Sequence, residues 1–165
     1  MGKFTMTHDL DCDVEKFWDL FLNGKEFNEK LFAALEFPEW KLVDQHEEGD
    51  VIVRTVKATP KMEAPAAVVK ILGDRFGYTE HGRYDKKTKI YKFDIETTAM
   101  KDKLKNGGVV RCEANGEGKS KRIVDITAEA KVFGLGGVIE SSFEKSYRSG
   151  WGKSAEFINE WVKKH

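Results

Sequence analysis

The chain has 165 residues, and its 28 lysines and arginines balance 28 aspartates and glutamates. Hydrophobic residues make up 40%, with 15 glycines and 3 prolines beside them, a globular balance that excludes a disordered, collagen-like or disulfide-framework chain. Zero net charge also argues against a dedicated nucleic-acid binder, which needs a basic surplus to neutralise phosphate.

Met1-Gly2-Lys3-Phe4-Thr5-Met6 runs at once into His8, Asp9, Asp11 and Asp13, so no secretory signal is expected there. Met6 stands where a myristoylation motif needs Ser or Thr. No stretch approaches the roughly 18 apolar residues of a membrane span. Cys12 and Cys112 fit no metal or redox spacing and read as buried free thiols. A cytoplasmic location follows as the expectation.

Residues 3–10 predict a first strand. Asp13 is placed to cap a helix carrying Val14, Phe17, Trp18 and Phe21 on one face, with Glu15 in its first turn. Asn23-Gly24 breaks it, and a second short helix carries Phe27, Leu31, Ala34 and Leu35 before Pro38. From Glu39 the period becomes two. Strands are expected over 40–47 and 51–58, joined by the hairpin turn Glu48-Gly49-Asp50. A loop over 59–65 and a short helix over 66–72 lead to a strand over 76–84. Tyr91, Phe93 and Ile95 then alternate with Lys92, Asp94 and Glu96 as a half-buried strand. Residues 101–108 read as a basic, glycine-ended connection. Strands over 109–114 and 122–132 follow, and in the latter Val124, Ile126, Ala128 and Ala130 share a face. A long helix over 138–163 closes the chain, with Ile139, Phe143, Tyr147, Trp151, Ile158 and Val162 as its apolar stripe.

This order resembles the helix-grip fold of the START-like (SRPBCC) superfamily, which includes the birch-pollen allergen and polyketide cyclase/dehydrase relatives; the resemblance covers Phe4 to Lys164. Its most specific local carrier is Lys131-Val132-Phe133-Gly134-Leu135-Gly136-Gly137-Val138-Ile139-Glu140. That run is similar to the strand-to-helix junction of an uncharacterised bacterial START-like branch, which often has proline in place of Phe133. Thr79-Glu80 is a slighter echo. The resemblance implies an α+β helix-grip fold in one domain over residues 1–165: a curved antiparallel sheet of about six to seven strands wrapped around a long C-terminal helix, with two short helices after strand 1. It also implies a hydrophobic cavity between sheet and helix, which relatives use to carry lipids, sterols or other apolar molecules, and in a minority for catalysis.

Within that frame Tyr91, Phe93, Ile95, Val110, Cys112, Ile126 and Ala128 are the expected sheet-side wall. Phe143, Tyr147 and Trp151 are expected to close the cavity from the helix. Ser142, Ser146, Gly150 and Ser154 form an adjacent small-residue ridge, open to two readings: tight packing on the sheet or a ligand channel. Gly150-Trp151-Gly152 marks either a bend or room for a bulky neighbour. Arg54 has two phases. If Ile52, Val56 and Ala58 face inward, so does Arg54, and Glu80 becomes its expected partner and a polar anchor for a ligand; if Val51 and Val53 do, Arg54 is solvated.

Other motifs fail their chemistry. Gly134-Leu135-Gly136-Gly137 lacks phosphate-loop spacing and reads as a turn. Asp9 to Asp13 mimics a calcium loop but puts Val14 where glycine belongs and Leu20 where glutamate belongs. His8, His46 and His81 have no metal-ligand spacing and read as unrelated surface residues. The lysine stretches 86–89, 101–105 and 119–122 read as solvated turns, able to touch an anionic membrane transiently if they cluster at one end of the sheet. The expectation is a protein that binds or transfers a lipid or other hydrophobic molecule, without cofactor, metal, catalytic residue or nucleic-acid partner. The alternatives are a cyclase- or hydrolase-like enzyme using Glu80 or a histidine, and a co-chaperone-like protein-binding module with a filled interior.

Overall fold

The computed structural model describes residues 2–61, 63–73 and 75–165; Met62, within the loop expected over 59–65, lies outside them. The elements are β1 (Lys3–Leu10), α1 (Val14–Asn23), α2 (Lys25–Ala34), β2 (Glu39–Glu48), β3 (Val51–Thr59), α3 (Ala66–Leu72), β4 (Tyr78–Asp85), β5 (Ile90–Thr97), β6 (Leu104–Ala114), β7 (Ser120–Ala130) and α4 (Gly136–Lys164). The strands form one curved antiparallel sheet in the order β1-β7-β6-β5-β4-β3-β2. This is an α+β helix-grip arrangement.

Local chemistry accounts for the start of α1. Asp13 caps α1, its carboxylate accepting the Lys16 N–H at 2.8 Å and satisfying one of the free donors at the helix start. Phe17, Trp18, Leu20 and Leu22 of α1 are buried. In β5 the alternation is realised: Tyr91 and Phe93 are buried while Lys92 and Asp94 are exposed.

The segment 101–108 departs from expectation. Its second half, Leu104 to Gly108, is the start of β6 and not a connection. Glycine normally weakens a strand, but here it is required by close approach. A Cβ at Gly107 would stand 2.7 Å from the Phe93 carbonyl oxygen, and one at Gly108 would stand 2.8 Å from both the Asp125 carbonyl and the Phe93 ring. Bare backbone lets the strands keep pairing while the Phe93 ring lies across Gly108 toward Ile126.

α4 is 29 residues long, about 43 Å at 1.5 Å per residue, and packs against β7, β1 and α2. It runs without interruption through Gly150 and Gly152. Two apolar clusters hold the layers together. The larger joins α1, α2, the centre of the sheet and the C-terminal half of α4; the smaller joins α3 (Val68, Leu72) to Phe76, Leu104, Ala130 and Ile139. Phe143 packs against both.

The lysine-bearing turns do not gather at one end. The β4–β5 and β6–β7 turns share an end of the antiparallel sheet, whereas the β5–β6 connection lies at the other. Lys86, Lys87 and Lys101 pair with Glu47, Asp50 and Glu96. No helix is long and apolar enough to cross a membrane among the described residues.

Candidate functional site

Between the sheet and α4 the side chains leave a cavity of about 300 Å³. Its floor comes mainly from β3, β4 and β5: Arg54, Val56, Tyr78, Glu80, Tyr91, Phe93 and Ile95. α4 supplies Phe143, Tyr147, Trp151 and Ile158, and α1 and α2 supply Phe17, Phe21, Phe27 and Leu31. The mouth lies where exposed residues join the lining: Lys145, Ser149 and Lys153 of α4 face Lys61 and Glu63 of the β3–α3 loop. Phe32 of α2 and Trp40 of β2 stack beside it, ring centroids 4.7 Å apart and nearly parallel.

The polar groups inside follow from strand register. Glu80 of β4 pairs with Ile95, which pairs with Asn106 of β6, so all three lie in one row across the sheet. One row along, Arg54 pairs with Gly82 and Gly82 with Phe93. In the next, Tyr84 pairs with Tyr91. Tyr91 leans out of its row across Gly82, and its hydroxyl donates to Glu80 Oε2 at 2.6 Å. Gly82 makes this possible, because a Cβ there would stand 1.8 Å from the Tyr91 hydroxyl oxygen.

Glu80 faces the cavity, so part of its surface is reachable from within, yet protein surrounds it. Burial pushes its carboxyl above the ordinary carboxylate range, opposed by the Arg54 charge and the Tyr91 hydrogen bond. Burial likewise raises the Tyr78, Tyr91 and Tyr147 hydroxyls, all neutral donors at physiological pH. Tyr147 donates to Asn106 Oδ1 across the cavity at 3.4 Å, a long contact.

Two arginines enter the same space. Arg54, 3% exposed, donates from Nη1 to the Phe21 carbonyl at 2.8 Å and lies 4.7 Å from the Phe21 ring centroid. Arg122, 1% exposed, donates from Nη2 to the Trp151 carbonyl at 2.8 Å and contacts His8 Nδ1 at 3.1 Å. Burial lowers its pKa to about 9, which leaves it cationic at neutral pH. His8 is brought down to about 4, by burial first and by the Arg122 charge second. It is therefore a neutral acceptor. No cluster of three or more His, Cys, Asp or Glu side chains is arranged to hold a metal among the described residues.

Residues 5–162 match the model of a family described as a protein of unknown function, DUF2505. The chain belongs to that family. Its fold is also that of solved START-like structures. A START superfamily protein from Mycobacterium smegmatis superposes with a TM-score of 0.67 at 11% identity, over 97% of this chain and 98% of that one. The Zhui aromatase/cyclase from a Streptomyces species has a TM-score of 0.68 at 9% identity, over 98% and 93%. Norcoclaurine synthase from Thalictrum flavum, solved with dopamine and hydroxybenzaldehyde, has a TM-score of 0.68 at 11% identity, over 99% and 87%. At such identities the likeness is one of fold. No curated protein matches the chain.

In this DUF2505 chain eight of the expected residues line the cavity: Arg54, Glu80, Tyr91, Phe93, Ile95, Phe143, Tyr147 and Trp151. Val110, Cys112, Ile126 and Ala128 do not. They stand on the β6–β7 half of the sheet, where packed side chains from β1, α1 and α4 cover the surface and the Phe93 ring meets Ile126 over Gly108. The inward phase of β3 is the one observed, with Arg54, Val56 and Ala58 all buried. Arg54 and Glu80 are neighbours that feel each other's charge but form no ion pair within 4.0 Å; Arg54 turns to the Phe21 carbonyl instead.

Two readings are corrected. Arg122, read as part of a solvated turn, lies in β7 in phase with Val124 and Ile126 and points inward. That parity was the signal that could have found it. His8, read as a separate surface residue, is half-buried against Arg122. Cys12 is buried and Cys112 partly so, and both are free. The small-residue ridge divides: Ser142 is buried away from the cavity, whereas Ser146, Gly150 and Ser154 line it, Ser154 as a buried residue and Ser146 as an exposed one. A Cβ at Gly150 would meet nothing within 4 Å, so this part of the ridge borders open space.

Proposed function

We propose that this chain binds a lipid or other hydrophobic small molecule in the cavity between its sheet and α4, as a carrier or transfer protein acting in the cytoplasm. The observation that carries the proposal is a space of about 300 Å³, walled by aromatic side chains and open at one end. That is the lower part of the range of small-molecule sites, which combine a mostly apolar lining with few polar anchors. An interior filled by side chains would have favoured a protein-binding module instead. Free cysteines accord with a reducing compartment.

The experiment is native mass spectrometry of the purified chain, together with solvent extraction and mass analysis of what it releases. A stoichiometric apolar ligand is expected. Protein that is reproducibly empty, and that also takes up none of a panel of offered lipids and aromatic compounds, overturns the reading.

Glu80 favours a second reading, an enzyme of the cyclase or hydrolase type. A carboxyl raised by burial, hydrogen-bonded to Tyr91 and facing a solvent-connected cavity is suited to proton transfer. Chemical change of a bound compound, abolished by Glu80→Gln while binding persists, would establish that reading over simple carriage.

A further inference from the structure

We propose that the ligand is an amphipathic anion, an apolar body bearing a carboxylate-like group that Arg54 and Arg122 engage. This rests on the cavity being a binding site and adds the charge of what it binds.

An unpaired charge buried in protein is costly, and arginines in interiors ordinarily meet carboxylates. The arginine–carboxylate pairs among the described residues are Arg111–Glu113 and Arg148–Glu144, both exposed. Arg54 and Arg122 are the two buried arginines, and both line the cavity. Their acceptors are neutral: the Phe21 carbonyl for one, the Trp151 carbonyl and the His8 imidazole for the other. The Nε of each has no hydrogen-bond partner. Aromatic faces at 4.7 Å and 4.8 Å give part of the missing stabilisation, but no countercharge.

Glu80 does not balance them. It is the single carboxylate of the buried wall, it accepts from Tyr91, and it can offset at most one of two cations. At the mouth, Lys61, Lys145 and Lys153 outnumber Glu63. Lys61 is held by Glu36 and Glu63, but Lys145 and Lys153 form no ion pair among the described residues. The lining is thus basic in a chain whose net charge is zero. A cleft of one sign with low-dielectric walls attracts ions of the other, and a guanidinium fork matches a carboxylate in shape as well as charge.

The test is displacement of a neutral fluorescent probe, N-phenyl-1-naphthylamine, from the purified 165-residue chain by matched compounds. One series is dodecanoate, dodecanol and dodecylamine; the other is 2-naphthoate and 2-naphthol. A charge-assisted hydrogen bond in a buried site predicts an acid advantage of about tenfold or more over the alcohol. The advantage should fall toward parity in Arg54→Gln or Arg122→Gln and be largely kept in Arg54→Lys. An advantage confined to the dodecyl series marks a fatty acid, and one confined to the naphthyl series marks an aromatic acid; either supports the proposal. Equal potency of acid and alcohol, or preference for the amine, in the unaltered chain overturns the anion while leaving hydrophobic binding intact. That comparison needs no variant, so it holds even if Arg122→Gln does not fold. An acid preference that survives both glutamine variants overturns the assignment to these arginines. A chain that binds neither probe nor competitor overturns the binding reading as well.

Discussion

Replacing Gly82 with alanine tests the geometry of the polar centre, because two physical rules give opposite signs. Alanine is ordinarily the better residue in a strand interior, by about 0.5–1 kcal/mol, since glycine loses more backbone freedom on folding. At Gly82 the added methyl would stand 1.8 Å from the Tyr91 hydroxyl oxygen, 2.2 Å from Cζ and 2.6 Å from Cε1. The ring has little room to yield: Tyr91 is 1% exposed and packs edge-on against Phe21 at 5.0 Å between centroids. Forcing an extra carbon into such packing costs about 1–3 kcal/mol. Moving the hydroxyl away from Glu80 loses a hydrogen bond to an acidic group, about 1.5–3 kcal/mol more. After subtracting the backbone gain, Gly82→Ala should destabilise by about 2–5 kcal/mol, a fall in Tm on the order of 5–20 °C for a chain of this size. Urea titration measures this directly. The double variant Gly82→Ala/Tyr91→Ala should recover part of the loss relative to the sum of the single variants, since residues in contact couple. An alanine variant as stable as the parent, or a double variant showing strict additivity, would refute the account of Tyr91 leaning across Gly82.

Three further outcomes are expected. Because burial raises the Glu80 carboxyl, the folded chain holds a proton above the ordinary value of 4.5 where the unfolded chain has released it, so Glu80 makes folding less favourable as pH rises through that window. Glu80→Gln should therefore be more stable relative to the parent at pH 7 than at pH 4 by urea titration, and a difference independent of pH contradicts this. His8 is lowered, so its unfolded form takes up a proton first as pH falls from 6.5 toward 4, and its contribution to stability is lost over that interval. An NMR titration should place its midpoint near 4, and a midpoint near 6.5 would contradict its contact with Arg122. Gly150→Phe should fold with unchanged or slightly higher Tm, as its side chain enters open space and glycine is a poor helix former. If it blocks about 60 Å² of apolar contact, worth ~1.5 kcal/mol, the affinity for N-phenyl-1-naphthylamine should drop about tenfold; unchanged affinity would remove this part of α4 from the cavity wall.

Helical periodicity in residues 14–21 and along α4, and strict alternation in residues 91–96, are properties of neighbouring residues. They made α1, α4 and β5 legible before any tertiary contact was known. The start of β6 was not legible, because Gly107 and Gly108 are turn residues by local preference and strand residues only because Phe93 and Asp125 press against them. Arg122 was hidden differently. Beside Lys119 and Lys121 it looks like part of a charged turn, and only its parity with Val124 and Ile126 shows that it faces inward.

The balanced charge argued against a dedicated nucleic-acid binder, and the aromatic-rich composition required a substantial apolar interior. The order of short-period and long-period segments set the succession of strands and helices, and the helix-grip layout followed from the resemblance of that succession to the START-like superfamily. Tertiary structure alone decided whether the aromatics fill that interior or surround a space. A void is the volume left after side chains from five or six elements have packed, and no local pattern encodes it. The same reason explains the four misplaced wall residues: Val110, Cys112, Ile126 and Ala128 have the right parity, but α1, α4 and Phe93 cover that half of the sheet and leave the opening over β3 to β5. Charge balance, too, holds only for the whole chain. Register and burial place two arginines with neutral partners inside the cavity, and the local surplus they create is invisible in a total of zero.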